Sequence, residues 1–157
     1  MNIEDILIQP GDLPSINVAG ERKILIGDDP ILQNIGNAEC MVIQWIGNVE
    51  SQAKIGGEVR LYVYPSKFLA ERFFMRITQD FHGQLLANVG DSALIRQSND
   101  FPPMPPSTGI RFRRQQYVVE IWGTDNDDPS FAISKMSRES LIRYAQLLDE
   151  RLKECTS

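Results

Sequence analysis

The stretch Glu58-Val59-Arg60-Leu61-Tyr62-Val63-Tyr64 limits what this chain can fold into more than any other. Val59, Leu61 and Val63 alternate with Glu58, Arg60, Tyr62 and Tyr64. A period of two is that of a strand, here with one fully apolar face and one mixed face. Pro65 ends the strand, and the Ser66 hydroxyl can accept an orphan N–H at the start of a helix. Leu69, Phe73, Ile77 and Phe81 then recur every fourth residue, flanked by Ala70 and Phe74. This spacing predicts an amphipathic helix over 67–81, stopped at Gly83.

The rest of the chain is read around this strand–helix unit. Cys40 to Ile46 is apolar and rich in β-formers, and predicts a strand that pairs with 58–64 through the turn region 47–57. Ala93 to Gln97 follows the turn Val89-Gly90-Asp91-Ser92 as a short strand. The segment 101–106 carries four prolines and predicts an exposed, extended loop. Ile110 to Trp122 reads as a hairpin with Arg114-Gln115 at its tip. Phe112 then faces Tyr117, Ile110 faces Val119, Arg111 faces Val118 and Arg113 faces Gln116. Residues 125–129 form a polar loop, Ser137 caps a last helix, and Leu141, Tyr144, Ala145, Leu148 and Leu152 are its apolar stripe. The first 35 residues are broken by Pro10, Gly11, Pro14, Gly20, Gly27 and Pro30, and predict an irregular lead-in with short extended pieces such as 23–26.

This order predicts one α+β domain over 1–157, with its core in 36–154. The expected architecture is a single antiparallel sheet of about five to six strands with two helices packed on one face. Leu61, Val63, Phe73, Ile77, Ile121 and Leu148 are expected to share one core. The other sheet face is expected to stay partly wet.

The net charge of −5 argues against a sequence-blind nucleic-acid binder, which needs surplus cations to displace counterions. No run of about eighteen apolar residues exists that could span a membrane as a helix. The start, Met1-Asn2-Ile3-Glu4-Asp5, is polar and acidic, unlike a secretory signal. The expected location is cytoplasmic, or extracytoplasmic if a signal segment has been removed. Cys40 and Cys155 have no metal-ligand spacing. They read as one buried thiol and one free terminal thiol, or alternatively as a staple between helix and sheet that would imply export.

Little in the chain points to catalysis. The one histidine, His82, sits at a helix end with no identifiable nucleophile or orienting group. Asp125, Asp127 and Asp128 fail the calcium-loop pattern, because Ser130 and Met136 stand where Gly and Glu are needed. Gly56-Gly57 lacks the Lys and Ser/Thr of a phosphate loop. No cofactor or metal is expected. Arg111, Arg113 and Arg114, with Arg60 and Arg96, are expected on or near strands. Together with Tyr62, Tyr64 and Trp122 on the presumed outer face, they make the candidate contact surface for an anionic or acidic partner. The plainer reading is a solvated basic face, with the aromatics packed under the proline loop.

Tyr64-Pro65-Ser66, the turn Val89-Gly90-Asp91-Ser92-Ala93, and the Arg111-Phe112-Arg113-Arg114 hairpin leading into Tyr117-Val118-Val119 form a recognisable sequence. Over residues 57 to 153 the chain resembles the extracytoplasmic sensor domains of bacterial serine/threonine kinases and related lipoproteins with a PsbP-like fold. Those domains carry Gly-Asp-x-Ala before a hairpin with Arg-x-Gly-Asn, and pairs of cysteines. Here Gln115-Gln116 stands at the hairpin tip instead. The resemblance implies a non-enzymatic domain with a ligand or partner cleft, usually exported, and carries no catalytic residue. The expectation is therefore a non-catalytic ligand-sensing or protein-interaction domain, monomer or homodimer, with an unknown protein or small anionic ligand as partner. A small hydrolase or transferase is the alternative.

Overall fold

The structure is a computed structural model that describes residues 6–8, 12, 16–25, 38–48, 55–98, 107–124 and 138–156. The proline segment 101–106, the acidic turns at 27–29 and 125–128, and Ser137 lie outside the described residues. The fold is α+β: one antiparallel sheet and two helices. The strands are β1 (Ile16–Leu25), β2 (Cys40–Asn48), β3 (Ile55–Val63), β4 (Gln84–Leu85), β5 (Ser92–Ser98), β6 (Ser107–Arg114) and β7 (Tyr117–Thr124). The helices are α1 (Lys67–Thr78) and α2 (Arg138–Thr156). The sheet order is β1-β2-β3-β7-β6-β5-β4. Six strands are long, and the edge strand β4 has two residues.

The expected lead-in contains a strand. β1 pairs with β2 from Leu25↔Cys40 to Ile16↔Asn48, with a register shift between Val18 and Gly20. Gly20 and the charged run Glu21-Arg22-Lys23 conceal this strand in the sequence, yet charges and a bulge suit an outer edge that must resist further pairing.

The two helices do not share a face. Val59 and Leu61 of β3 point into a core with Val42, Ile110, Phe112, Val119, Ile121 and the α2 stripe Leu141, Tyr144, Ala145, Leu148 and Leu152. Tyr62 and Tyr64 point the other way, into a second core with Met41, Ile43, Val118 and Ala70, Phe73 and Phe74 of α1. The single expected core is therefore two. Leu61, Ile121 and Leu148 lie in the first, with Val63 against it. Phe73 lies in the second, with Ile77 against it. The cause is β2, whose consecutive apolar residues Met41, Val42 and Ile43 feed both faces, the pattern of a strand covered on both sides.

The hairpin tip is Gln115-Gln116 rather than Arg114-Gln115. Arg114 faces Tyr117, Phe112 faces Val119 and Ile110 faces Ile121. The shift keeps every side chain on its expected face, because both strands move by one residue together. Gln115 takes φ 52°, a left-handed conformation usually given to Gly or Asn. The turn is held from outside itself: Asp91 Oδ2 accepts the Gln115 N–H at 2.7 Å, and Gln116 C=O accepts the Tyr64 N–H at 3.0 Å.

Candidate functional site

The expected contact residues divide among four environments. Tyr62 and Tyr64 are not on an open surface. Both are buried beneath α1, where the Phe73 ring stands 4.7 Å from Tyr62 and 5.3 Å from Tyr64. Burial raises both phenols above their usual range, with the Glu120 carboxylate adding to the effect. The mixed face of β3 is thus a helix seat, because a tyrosine is mostly apolar surface with one polar tip. The Tyr62 hydroxyl donates to Glu120 Oε1 at 2.6 Å.

Arg113 and Arg114 bracket Asp91. Arg113 is buried, donating from Nη1 to Asp91 Oδ2 at 3.2 Å and to Gln115 C=O at 3.1 Å, with Glu71 of α1 3.6 Å away. Arg114 points to the opposite face. There it meets Asp149 of α2 and, at 3.1 Å, Asp91 Oδ1. Hydrogen bonding to Asp149 raises the Arg114 guanidinium pKa. The Asp91 N–H donates to Arg113 C=O at 2.7 Å. Gly90, at φ +61°, lies so close that a Cβ there would stand 2.6 Å from that same carbonyl oxygen. The Val89-Gly90-Asp91-Ser92-Ala93 turn is therefore a brace under the hairpin tip.

Arg111 and Arg96 finish α1. Ile77 C=O accepts from Arg111 Nη1, and Phe81 C=O accepts from Arg96 Nη1 at 3.1 Å. Carbonyls at a helix end lack intrahelical donors, and the end carries partial negative charge, so cations belong there. The Arg111 guanidinium also lies 4.4 Å from the Phe81 ring centroid and 3.1 Å from Glu120 Oε2. His82 follows at φ 53°, exposed.

Past the end of α1, the same sheet face carries a row of which sequence reasoning named Trp122 and Arg96 but missed Trp45, Glu58 and Gly109. Trp45, Glu58, Trp122, Gly109 and Arg96 are cross-strand neighbours on β2, β3, β7, β6 and β5. Glu58 stands between two tryptophans and pairs with Arg60, whose side chain is 42% exposed. Trp122 is 38% exposed, whereas Trp45 is half-buried. The Phe81 ring lies over Gly109, 3.5 Å from where a Cβ would stand. The usable signal was register: β2, β3 and β7 paired in order place residues 45, 58 and 122 side by side. The result is an aromatic ring beside a carboxylate–guanidinium pair, able to stack on a flat ligand and to both accept and donate hydrogen bonds.

Cys40 is buried in β2 and Cys155 is half-exposed in α2, and no disulfide joins them. Among the described residues no three His, Cys, Asp or Glu side chains are grouped as metal ligands would be. Among the same residues no helix is long and apolar enough to cross a membrane.

No family model matches the chain, and no curated protein matches it in sequence. Among solved structures it is similar to the extracellular domain of PknH from Mycobacterium tuberculosis. The TM-score is 0.56 at 9% identity, over 96% of this chain and 94% of that one. At that identity the likeness is one of fold alone.

Proposed function

We propose that this chain is a non-catalytic ligand-sensing or protein-interaction domain, one of the PsbP-like extracytoplasmic sensor modules. Its contact surface is the sheet face beyond α1, centred on Trp122, with Trp45, Glu58, Arg60 and the edge of Arg111. One observation carries this reading: a tryptophan 38% exposed beside an ion pair, on the part of that face which α1 leaves bare. An exposed aromatic with polar groups at its foot is the composition of a recognition hot spot. The partner is a protein or a small anionic ligand. Of the cations expected to serve it, Arg60 keeps the most exposure, 42% against 29% for Arg111 and 9% for Arg113. The fold shared with an extracellular domain supports a sensing role and placement outside the cytoplasm.

Native mass spectrometry of the protein isolated from its own cells tests the reading, with the Trp122→Ala/Arg60→Gln variant alongside. The parent is expected to carry a bound species that the variant has lost while melting at the same temperature. Equal retention by a folded variant removes this surface. Absence of any retained species, together with tryptophan fluorescence unmoved by phosphate or citrate, overturns the ligand reading.

A further inference from the structure

An amphipathic helix docked on a sheet should turn polar residues to water. Helix α1 does not. Its buried residues are Ala70, Phe73 and Phe74, yet Phe68 is 63% exposed and Met75 72% exposed. At about 100° per residue these two fall on the crest opposite the buried stripe, seven residues or about 10 Å apart. Arg72 lies between them, its guanidinium 5.8 Å from the Phe68 ring centroid and without a carboxylate partner among the described residues. Arg76 flanks the crest, its guanidinium 5.6 Å from the centroid of the buried Phe73 ring. The nearest acid, Glu71, is held by Lys67 at 3.8 Å and Arg113 at 3.6 Å. The chain as a whole is acidic, at −5, so this basic, apolar ridge departs from its average in both charge and polarity. The other large hydrophobic side chains exposed among the described residues are Leu85 and Trp122. Their register partners Leu94 and Glu58 place both on the α1 side of the sheet.

We infer that the α1 ridge, Phe68–Arg72–Met75 with Arg76, docks on an anionic lipid surface. A convex ridge of separated apolar side chains has no groove of its own to offer a partner. A bilayer interface takes in such side chains singly, while the Arg72 guanidinium at the same height meets a headgroup phosphate and Arg76 adds positive charge beside it. Each cation near an anionic leaflet adds attraction that falls off within a Debye length, so the contact is weak, reversible and salt-sensitive. It also orients the domain, because only this side is attracted. The inference is independent of the Trp122 surface and stands if that reading fails.

Co-sedimentation with vesicles decides it. The parent is expected to sediment with mixed phosphatidylglycerol–phosphatidylcholine vesicles and not with phosphatidylcholine alone, and to be released at about 1 M salt. Phe68→Ser/Met75→Ser and Arg72→Gln/Arg76→Gln should each weaken partition by about tenfold or more. Arg143→Gln, an exposed cation on α2 across the sheet, should bind as the parent does. All substituted residues are exposed, and unchanged melting shows that the variants fold. No binding of the parent to anionic vesicles overturns the inference, as does equal binding by the Phe68→Ser/Met75→Ser variant. Dimerisation of the parent in lipid-free buffer, abolished by that variant, assigns the ridge to self-association and overturns it too.

Discussion

Arg114 at the tip of the β6–β7 hairpin grips Asp149 of α2 at two points, Nε to Oδ1 at 2.7 Å and Nη2 to Oδ2 at 2.8 Å. The Asp149 side chain is 2% exposed, so this fork joins the hairpin to the helix where water does not compete. It explains why an arginine expected on an open binding face is unavailable there: position 114 shares the face of Phe112.

Removing one partner of a buried ion pair leaves the other charged and unsatisfied. Arg114→Met, which leaves the Asp149 carboxylate buried with only Lys153 at 3.9 Å, should therefore cost about 3–5 kcal/mol in urea unfolding. Replacing both, as Arg114→Met/Asp149→Leu, should recover most of that loss, because the desolvation cost of the charges goes with them. A single-variant loss under about 1 kcal/mol would show that the contact is solvated.

The brace under the hairpin makes a contrast between two glycines. Gly90→Ala places a Cβ 2.6 Å from Arg113 C=O at a φ that costs an L-residue about 1–2 kcal/mol by itself. A loss above about 2 kcal/mol is expected. Gly109→Ala meets nothing nearer than the Phe81 ring at 3.5 Å, which is ordinary contact, and should be neutral or stabilising by up to about 1 kcal/mol. Equal thermal shifts for the two variants would refute the brace.

Phe73→Ala should cost about 3–5 kcal/mol, because the ring is buried between Tyr62 and Tyr64 and no neighbour can fill its volume. Phe73→Leu keeps most of the contact and should cost about 1–2 kcal/mol. A Phe73→Ala loss near that of Phe73→Leu would mean that α1 packs loosely on its face.

The position and hydrophobic stripe of α1 were legible in the sequence, but the face it covers was not. Periodicity tells which residues of an element lie together, and Phe73 and Leu61 each sat correctly within its own stripe. It does not tell which of two sheet faces a helix chooses. The clue lay in β2, where Met41, Val42 and Ile43 run without alternation. Had that been read as burial on both sides, Tyr62 and Tyr64 would have been placed under a helix. The arginines misled for a related reason. Three in four residues looks like a surface charge cluster, but Arg111 caps α1, Arg113 braces the tip and Arg114 reaches α2. The partners Ile77, Asp91 and Asp149 all lie more than twenty residues away, so local reading could not supply them. The hairpin register slipped because its tip is set by Asp91, more than twenty residues upstream, and not by turn residues of its own.

All four tyrosines in the chain, at 62, 64, 117 and 144, have phenols raised above their ordinary value, chiefly by burial. Tyr144 is the extreme case: it is buried in α2, its hydroxyl has no partner among the described residues, and its pKa is well above the usual value. In the unfolded chain each phenol ionises near pH 10. The folded state holds its protons to higher pH, so above about 10 the unfolded state binds fewer protons than the native one. Stability is then complete below that pH and falls as pH rises beyond it. Tyrosinate absorbance should stay low in the native protein past pH 10 and rise together with loss of the circular-dichroism signal. Tyr144→Phe removes the orphan hydroxyl at almost no change in shape, so at neutral pH it should leave stability unchanged or raise it by up to about 1 kcal/mol. It should also shift alkaline unfolding upward. Reversible tyrosinate formation near pH 10 with the fold intact would show that these rings are open to water, and would undo the placement of Tyr62 and Tyr64 beneath α1.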